Sequence, residues 1–316
     1  MAAERTYSPS FDVVMPLYNK LAYVEEAIRS VLAQAALHAL IVVDDGSTDG
    51  GAERVEELAR EDARIRLLRQ PNAGVSAARN RGVRASTADY IAFLDADDLY
   101  LPGFLQQIAA LAGRYPEAGL LGTAYRRFSG EAASALSAHA SDSVAEPARL
   151  VPAFFEEWSR GSFIFTSSIC VRRQALLDLG SLFPDGERLG EDQDVWFRLA
   201  ERYPVAASAR VLALYRVDAA GSLTTNTALI GVLPCYTRLS ERLSRPEYPP
   251  QHRRGARRAL ASHYLNLAVM RIEAGEFAAA SMLVAHRYAR GNPFYWLRVA
   301  MRLIRCTLMS ATRKAA

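Results

Sequence analysis

The run Phe93-Leu94-Asp95-Ala96-Asp97-Asp98 joins an apolar stretch directly to three carboxylates. Tyr90, Ile91, Phe93 and Leu94 are β-branched, aromatic or aliphatic and bounded by polar residues, which predicts a buried strand. Carboxylates crowded at a strand tip repel one another and lose hydration. A divalent cation removes that penalty, because Mg²⁺ and Mn²⁺ prefer hard oxygen ligands. Held by one or two carboxylates, such an ion completes its shell with substrate phosphates. The run therefore predicts a metal–diphosphate site at the C-terminal end of a strand.

Three further clusters have types and spacing suited to chemistry. In Asp44-Asp45-Gly46-Ser47-Thr48-Asp49, an Asp can accept a hydrogen bond from a nucleobase N–H, or an Asp or Ser can cap the following helix. In Pro16-Leu17-Tyr18-Asn19, Tyr18 can stack on a flat ring or lie half-buried at a strand end. In Asn72-Ala73-Gly74-Val75-Ser76-Ala77-Ala78-Arg79-Asn80, Arg79 can reach a phosphate or be a solvated helix residue.

The elements that must hold these clusters alternate. Strands are expected at Phe11–Met15 (stopped by Pro16), Leu40–Val43, Ile65–Leu68 and 90–95. Helices are expected at about 21–36, 51–60 and 73–85. That alternation predicts an α/β fold with a Rossmann-like, mostly parallel sheet flanked by helices, and functional groups at the C-terminal strand ends. Residues 129–148, rich in Ala, Ser and Glu, predict a loop. A strand at Phe163–Val171 and a helix at Arg173–Leu179 follow, and Gly190-Glu191-Asp192-Gln193-Asp194 opens another helix. From about 228 the pattern is wholly helical and Arg-rich. The expected division is 1–227, with donor binding at about 11–100 and the acceptor side at about 101–227, and a C-terminal helical segment at 228–316.

Segments 13–20, 42–50, 72–82 and 93–98, in this order and spacing, resemble the family-2 glycosyltransferases of GT-A fold over roughly residues 10 to 220. The resemblance implies an inverting, nucleotide-sugar-dependent enzyme. Asp45 would bind the donor base, with Tyr18, Asn19 and the Pro16 backbone lining its pocket. Arg79, Asp95 and Ala96 would complete the nucleotide site. Asp95-Ala96-Asp97 resembles the family's DxD motif, which makes Asp97 the main Mn²⁺ or Mg²⁺ ligand with Asp95 assisting. Asp98 then caps the turn before Pro102. Glu191-Asp192-Gln193-Asp194 resembles the family's ED-x-D segment. Sugar transfer needs a base for the acceptor hydroxyl, and Asp192 is the first choice with Glu191 second. The alternative is that these acids complement a helix dipole. Trp196 lines an acceptor pocket or packs in a helix core. The strand around Thr166–Arg173 positions the acceptor side.

A net charge of +4 and a pI near 9.0 come almost wholly from arginine, since Lys20 and Lys314 are the lysines. No aromatic-studded basic stripe is present, so nucleic acid is not an expected partner. Cys170, Cys235 and Cys306 are too scattered for a metal motif and odd in number, which suits buried thiols in a reducing compartment. The N-terminal residues lack an apolar signal core and no run is long enough to span a bilayer, which points to the cytoplasm. In the C-terminal segment Arg298, Arg302 and Arg305 share one helix face beside apolar residues, and His252–Arg258 adds charge. That pattern suits peripheral contact with the inner face of the cytoplasmic membrane, or simple packing on the catalytic domain. The expected partners are a nucleotide-sugar donor, most plausibly a UDP-sugar, and a glycan or lipid-linked acceptor in cell-surface polysaccharide synthesis. A nucleotidyltransferase would need a Gly-rich basic loop after the first strand, and a dehydrogenase a G-x-G-x-x-G, neither of which is present. A nucleotide-sugar-binding scaffold without turnover is the non-enzymatic alternative.

Overall fold

The computed structural model describes residues 9–130, 148–187, 189–220 and 231–315. Its first half alternates as the periodicity predicts: β1 (Phe11–Leu17), α1 (Leu21–Leu32), β2 (Leu37–Asp44), α2 (Gly51–Glu61), β3 (Ile65–Arg69), α3 (Val75–Ala85) and β4 (Tyr90–Phe93). Next come β5 (Leu99–Tyr100), α4 (Phe104–Arg114), β6 (Leu120–Phe128), β7 (Arg149–Leu150), β8 (Ile169–Arg172) and β9 (Val205–Arg216). The strands form one sheet in the order β3-β2-β1-β4-β8-β6-β9-β5, with β7 also paired to β9.

Parallel pairing joins β3-β2-β1-β4 and also β6 with β9. Strand β8 enters antiparallel to both β4 and β6, and β5 and β7 pair antiparallel with β9. Parallel neighbours need long crossover connections. The described helices between β6 and β8 and just after β8, Phe154–Trp158 and Arg173–Leu177, have five residues each. The expected strand at 163–171 is shorter, being Ile169–Arg172 after a 3₁₀ turn at Thr166–Ser168. Residues 131–147 of the predicted loop lie outside the described residues.

The strand order reverses at β1, with β2 and β3 on one side and β4 on the other. Beyond the C-terminal ends of such strands lies the crevice where α/β sheets bind ligands. Strand β1 does not stop at Pro16. Val14 C=O accepts from Leu94 N–H, so Val14 and Pro16 both turn their peptide groups toward β4. The β1–β4 pairing ends at Val14 and Phe93, so the N–H that proline lacks would point past that ladder.

Alternation along the strands gives the sheet two apolar faces. Val13, Met15, Leu40, Val42, Ala92 and Leu94 share a core with Val24, Ile28 and Val31 of α1, Val55 and Leu58 of α2, and Phe104 and Ile108 of α4. On the other face Val14 meets α3 at Gly82. A Cβ added at Gly82 would lie 2.4 Å from Val14 Cγ1, so only glycine lets this helix come so close.

The described residues of Met1–Pro152 and Phe163–Ser222 make one compact unit; those of Ala153–Ser162 and Leu223–Ala316 make a second. The second unit is helical, with Phe154–Trp158, Pro234–Ser244, Arg253–Glu273, Phe277–Ala285 and Pro293–Ala315. Its core joins Leu265, Ala268 and Ile272 to Ala280, Val284, Val299 and Leu303. Trp158 Nε1 donates to the Tyr236 hydroxyl at 3.1 Å, and the Tyr236 ring stacks on His263. Burial lowers the His263 pKa to about 4, so this stack holds a neutral imidazole near neutral pH. Cys170 and Cys235 are buried free thiols, whereas Cys306 is half-buried. Among the described residues no helix is long and apolar enough to cross a membrane.

Two glycines give opposite expectations. Gly82→Ala should destabilise by about 1–3 kcal/mol through overpacking against a stiff β-branched side chain. Gly113→Ala, in α4 with nothing within 4 Å of the added Cβ, should stabilise by roughly 0.5 kcal/mol. Urea unfolding of the two variants distinguishes them; equal shifts would refute the close contact.

Candidate active site

The loops after β1, β2 and β4 meet at the switch-point crevice and are stitched to one another. Asn19, held at a φ of 51°, donates its backbone N–H to Ser47 Oγ and accepts from Thr48 N–H through Oδ1. Leu21 N–H donates to Asp49, and Ser47 N–H to Asp44. Gly46 needs its positive φ of 78°, and a Cβ there would press on Asn72 N at 3.0 Å. Tyr18 is half exposed at the rim and Pro16 is half-buried beneath it.

Asp45 is buried, and its carboxylate organises the segment before α3. Oδ1 accepts from Gln70 Nε2 at 2.7 Å and from Ala73 N–H at 2.9 Å, and Oδ2 accepts from Gly74 N–H at 2.8 Å. A carboxylate offers about four acceptor positions, so one remains on Oδ2.

The three acids after β4 have three different environments. Asp98 is fully buried; it accepts from Ser167 Oγ at 2.6 Å and from Arg216 N–H at 2.9 Å. Burial, with Asp95 and Asp97 nearby, pushes its carboxyl well above the usual range. It is an internal tie rather than a cap before Pro102. Asp97 is largely buried and forms an ion pair with Lys20 Nζ at 2.7 Å; Lys20 also donates to Ala220 C=O. Burial raises the Asp97 carboxyl, Lys20 opposes that rise and Asp95 adds to it. Asp95 is the most open, with a third of its side chain exposed, and it pairs with Arg79 at 2.8 Å. Ala96 is buried in the sheet core, so its side chain faces away from any ligand.

Arg79 departs from both expectations for it. It is neither solvated nor free to reach a phosphate: it is buried in α3, with Nη2 on Asp95 and Nη1 on Glu191 at 2.7 Å. Neighbouring Asn80 fixes the segment beside it, donating to Phe183 C=O and accepting from Phe183 N–H. Glu191 and Asp192 open the helix Glu191–Arg202, and they differ in access. Glu191 is buried; burial and the adjacent Asp192 push it up to about 7, while Arg79 pulls the other way. Asp192 is half-buried, and its Oδ2 accepts from Thr166 Oγ1 at 2.6 Å. Asp194 turns inward and pairs with Arg198.

Trp196 does not line a pocket. It is fully buried, packed tilted against Phe93 at 5.7 Å and edge-on to Phe183 at 5.8 Å, so no sugar can reach its faces. Two contributors were not foreseen as site residues, Lys20 and Asn80. Thr166 and Ser167 lie on the 3₁₀ turn that opens the segment expected to position the acceptor side. Thr166 reaches Asp192, and Ser167 both donates to Asp98 and accepts from Asp95 N–H at 3.1 Å. Hydroxyls in Thr166-Ser167-Ser168 were the available signal, but their partners are distant in sequence.

Asp95, a third exposed, and Asp97, largely buried against Lys20, are the two acids at the strand tip that are not wholly enclosed. No group of three or more His, Cys, Asp or Glu able to hold a metal occurs among the described residues. Two partly open carboxylates fit a divalent ion whose shell is completed by phosphate oxygens and water, and do not form an all-protein cage.

The Arg79 bridge makes a testable demand. Breaking a buried ion pair from one side costs about 3–5 kcal/mol, and the partly exposed Asp95 favours the lower end for Arg79→Met. Without Arg79 the Glu191 pKa climbs above about 7. The folded variant then keeps a proton that the parent releases, so its deficit is smallest below pH 7 and grows above it. Urea midpoints at about pH 6 and about pH 8.5 should show that growth; an equal deficit at both would remove Glu191 from the bridge.

Comparison with known proteins places the family and the fold. The model of the Glycosyl transferase family 2 matches residues 12–179. The uncharacterized glycosyltransferase EpsJ of Bacillus subtilis (strain 168) is 39% identical over 101 residues, which is 32% of this chain and 29% of that protein. An uncharacterized glycosyltransferase of Rickettsia felis is 29% identical over 224 residues, 69% of this chain and 35% of that protein. The chain thus spans about a third of the length of these curated relatives. Residues 1–349 of S. aureus TarS, solved in complex with UDP-GlcNAc, superpose with a TM-score of 0.68 at 16% identity, covering 97% of this chain and 92% of that one. The mannosyltransferase PcManGT from Pyrobaculum calidifontis, in complex with GDP-Man and Mn²⁺, gives 0.59 at 19% identity, covering 96% and 87%. The sheet flanked by helices is therefore of the GT-A type, and the chain belongs to glycosyl transferase family 2.

Proposed function

We propose that the chain transfers a sugar from a nucleotide donor, most plausibly a UDP-sugar, to a glycan or lipid-linked acceptor with inversion at the anomeric carbon. The observation that carries this reading is the route Asp97/Asp95–Arg79–Glu191/Asp192. One buried guanidinium ties Asp95, at the diphosphate end, to the buried Glu191, whose neighbour Asp192 is half-buried and able to act as a base.

In this reading Tyr18 stacks on the base above Pro16 and Asn19, and the free acceptor position on Asp45 Oδ2 takes a base N–H. Asp97 and Asp95 would hold Mn²⁺ or Mg²⁺, which would neutralise the charge that builds on the departing diphosphate, in the place that the Lys20 ammonium takes beside Asp97. Asp192 takes the proton of the acceptor hydroxyl, whose oxygen bonds to the anomeric carbon while the bond to the diphosphate breaks. Attack from the face opposite the leaving group inverts that centre. Thr166 orients the carboxylate, and Arg79 holds Glu191 behind it. Glu191 supports the base through position rather than acting as a second base, because it is buried and engaged.

The neighbouring structures support a nucleotide-sugar donor in general, since one holds UDP-GlcNAc and the other GDP-Man with Mn²⁺. A hexosyl or N-acetylhexosaminyl donor and an acceptor in surface polysaccharide synthesis belong to the proposal. Hydrolysis of a panel of UDP-, GDP- and dTDP-sugars with and without Mn²⁺ tests it. Turnover of none of them, with tight nucleotide binding retained, would favour a scaffold without turnover.

Asp192→Asn should keep donor affinity and lose transfer by about 10²–10⁴-fold, the usual contribution of a general base. Near-parental transfer would remove it from that role. Asp97→Ala should abolish the Mn²⁺-dependent part of nucleotide affinity measured by calorimetry. An unchanged metal dependence would overturn the ligand assignment.

A further inference from the structure

The helix Pro293–Ala315 turns two different apolar faces outward and inward. Val299 and Leu303 are buried in the core of the helical unit. Phe294, Leu297, Met301 and Ile304, spaced by three, four and three residues, form a line on another face. They are 83%, 51%, 54% and 61% exposed. Leu308 continues the line and is also exposed. Scattered exposed apolar residues are ordinary, whereas a continuous line of large ones marks a contact surface.

The charge that the helix itself carries beside this line is of one sign, although Arg302, which follows Met301, pairs with Glu273 of another helix at 2.9 Å. Arg298 and Arg305 follow Leu297 and Ile304 directly, and the helix contains no Asp or Glu. Two residues before the helix begins, a cavity of about 250 Å³ is lined by Arg257, Arg287, Tyr288, Arg290 and Gly291. Arg287 lies over the Tyr288 ring and Arg290 over the Trp296 ring. Among the described residues none of these three arginines has a carboxylate partner. Three uncompensated guanidiniums around a space below the range of drug-sized pockets (about 300–1,000 Å³) suit a small phosphate-bearing group.

We infer that the helical unit docks on an anionic phospholipid surface, with a headgroup phosphate in the arginine cavity and Phe294, Leu297, Met301 and Ile304 entering the acyl boundary. An apolar stripe flanked by arginine is the pattern of an interfacial helix. A second copy of the chain is a poorer occupant. On an antiparallel partner Arg298 and Arg305 would face their own counterparts, and on a parallel one they would face Pro293 and Ala300, so neither pairing supplies a carboxylate. This inference does not rest on the transfer reading, because lipid binding is measured without any sugar donor.

Sedimentation of the full chain with vesicles tests it, using phosphatidylcholine alone and phosphatidylcholine mixed with phosphatidylglycerol. Binding is expected only to the mixed vesicles. Replacing Leu297, Met301 and Ile304 together by Ser should abolish it. Arg257→Gln, Arg287→Gln and Arg290→Gln combined should weaken it on the order of 100-fold. All six side chains are exposed, and matched thermal melts establish that the variants remain folded. Equal binding to both vesicle types, or unchanged binding by either variant, overturns the inference. So does a dimer in sedimentation velocity that the Ser variant dissociates without any vesicle binding by the parent.

Discussion

The buried guanidinium of Arg79 is the interaction on which the site depends. It has carboxylates on two sides, Asp95 from the sheet and Glu191 from a helix more than a hundred residues later. Removing three charges from water is unfavourable, and the attraction offsets it only when the geometry is tight. The geometry is tight because α3 lies against β1 at Gly82, where no side chain keeps helix and strand apart. The same helix presents Asn80 to the backbone of Phe183, which fixes the segment leading to Glu191. A lysine at 79 would supply the charge without the fork that reaches two acids at once.

Much of this was legible in the sequence, and the reason is periodicity. Apart from Asp12 and His38 near their starts, the buried strands at 11–17, 37–44 and 90–93 are apolar up to their C-terminal ends, so acids there stand out as strand ends. Parallel order then brings those ends together. What was not legible depends on pairing between distant segments. Nothing local says that β8 enters antiparallel next to β4, so the task of the Thr166–Ser168 turn could not be read. Trp196 shows the same limit: helical spacing permits it either face, and only the Phe93 and Phe183 rings decide.

Residue type also failed to separate two kinds of acid. Asp12 and Asp97 are both charged residues beside apolar strands, at opposite ends of the sheet. Asp12 is fully buried and accepts from Ser86 Oγ and from Thr87 and Ala88 N–H, with His38 on its other oxygen. Such a carboxylate is satisfied by the fold and is structural. Asp97 is paired with the Lys20 ammonium and retains some exposure.

That difference marks where chemistry can enter. An acid held by several backbone donors cannot exchange them without unfolding a turn, whereas an ion pair with a lysine can exchange one cation for another at small structural cost. The ion pair at Asp97 is not isolated, because Lys20 follows Asn19, which is tied to the 47–48 turn, and Tyr18 at the rim. It links the acidic strand tip to the short loop that borders the crevice over Asp45, so that tip and the loop after β1 form one electrostatic unit.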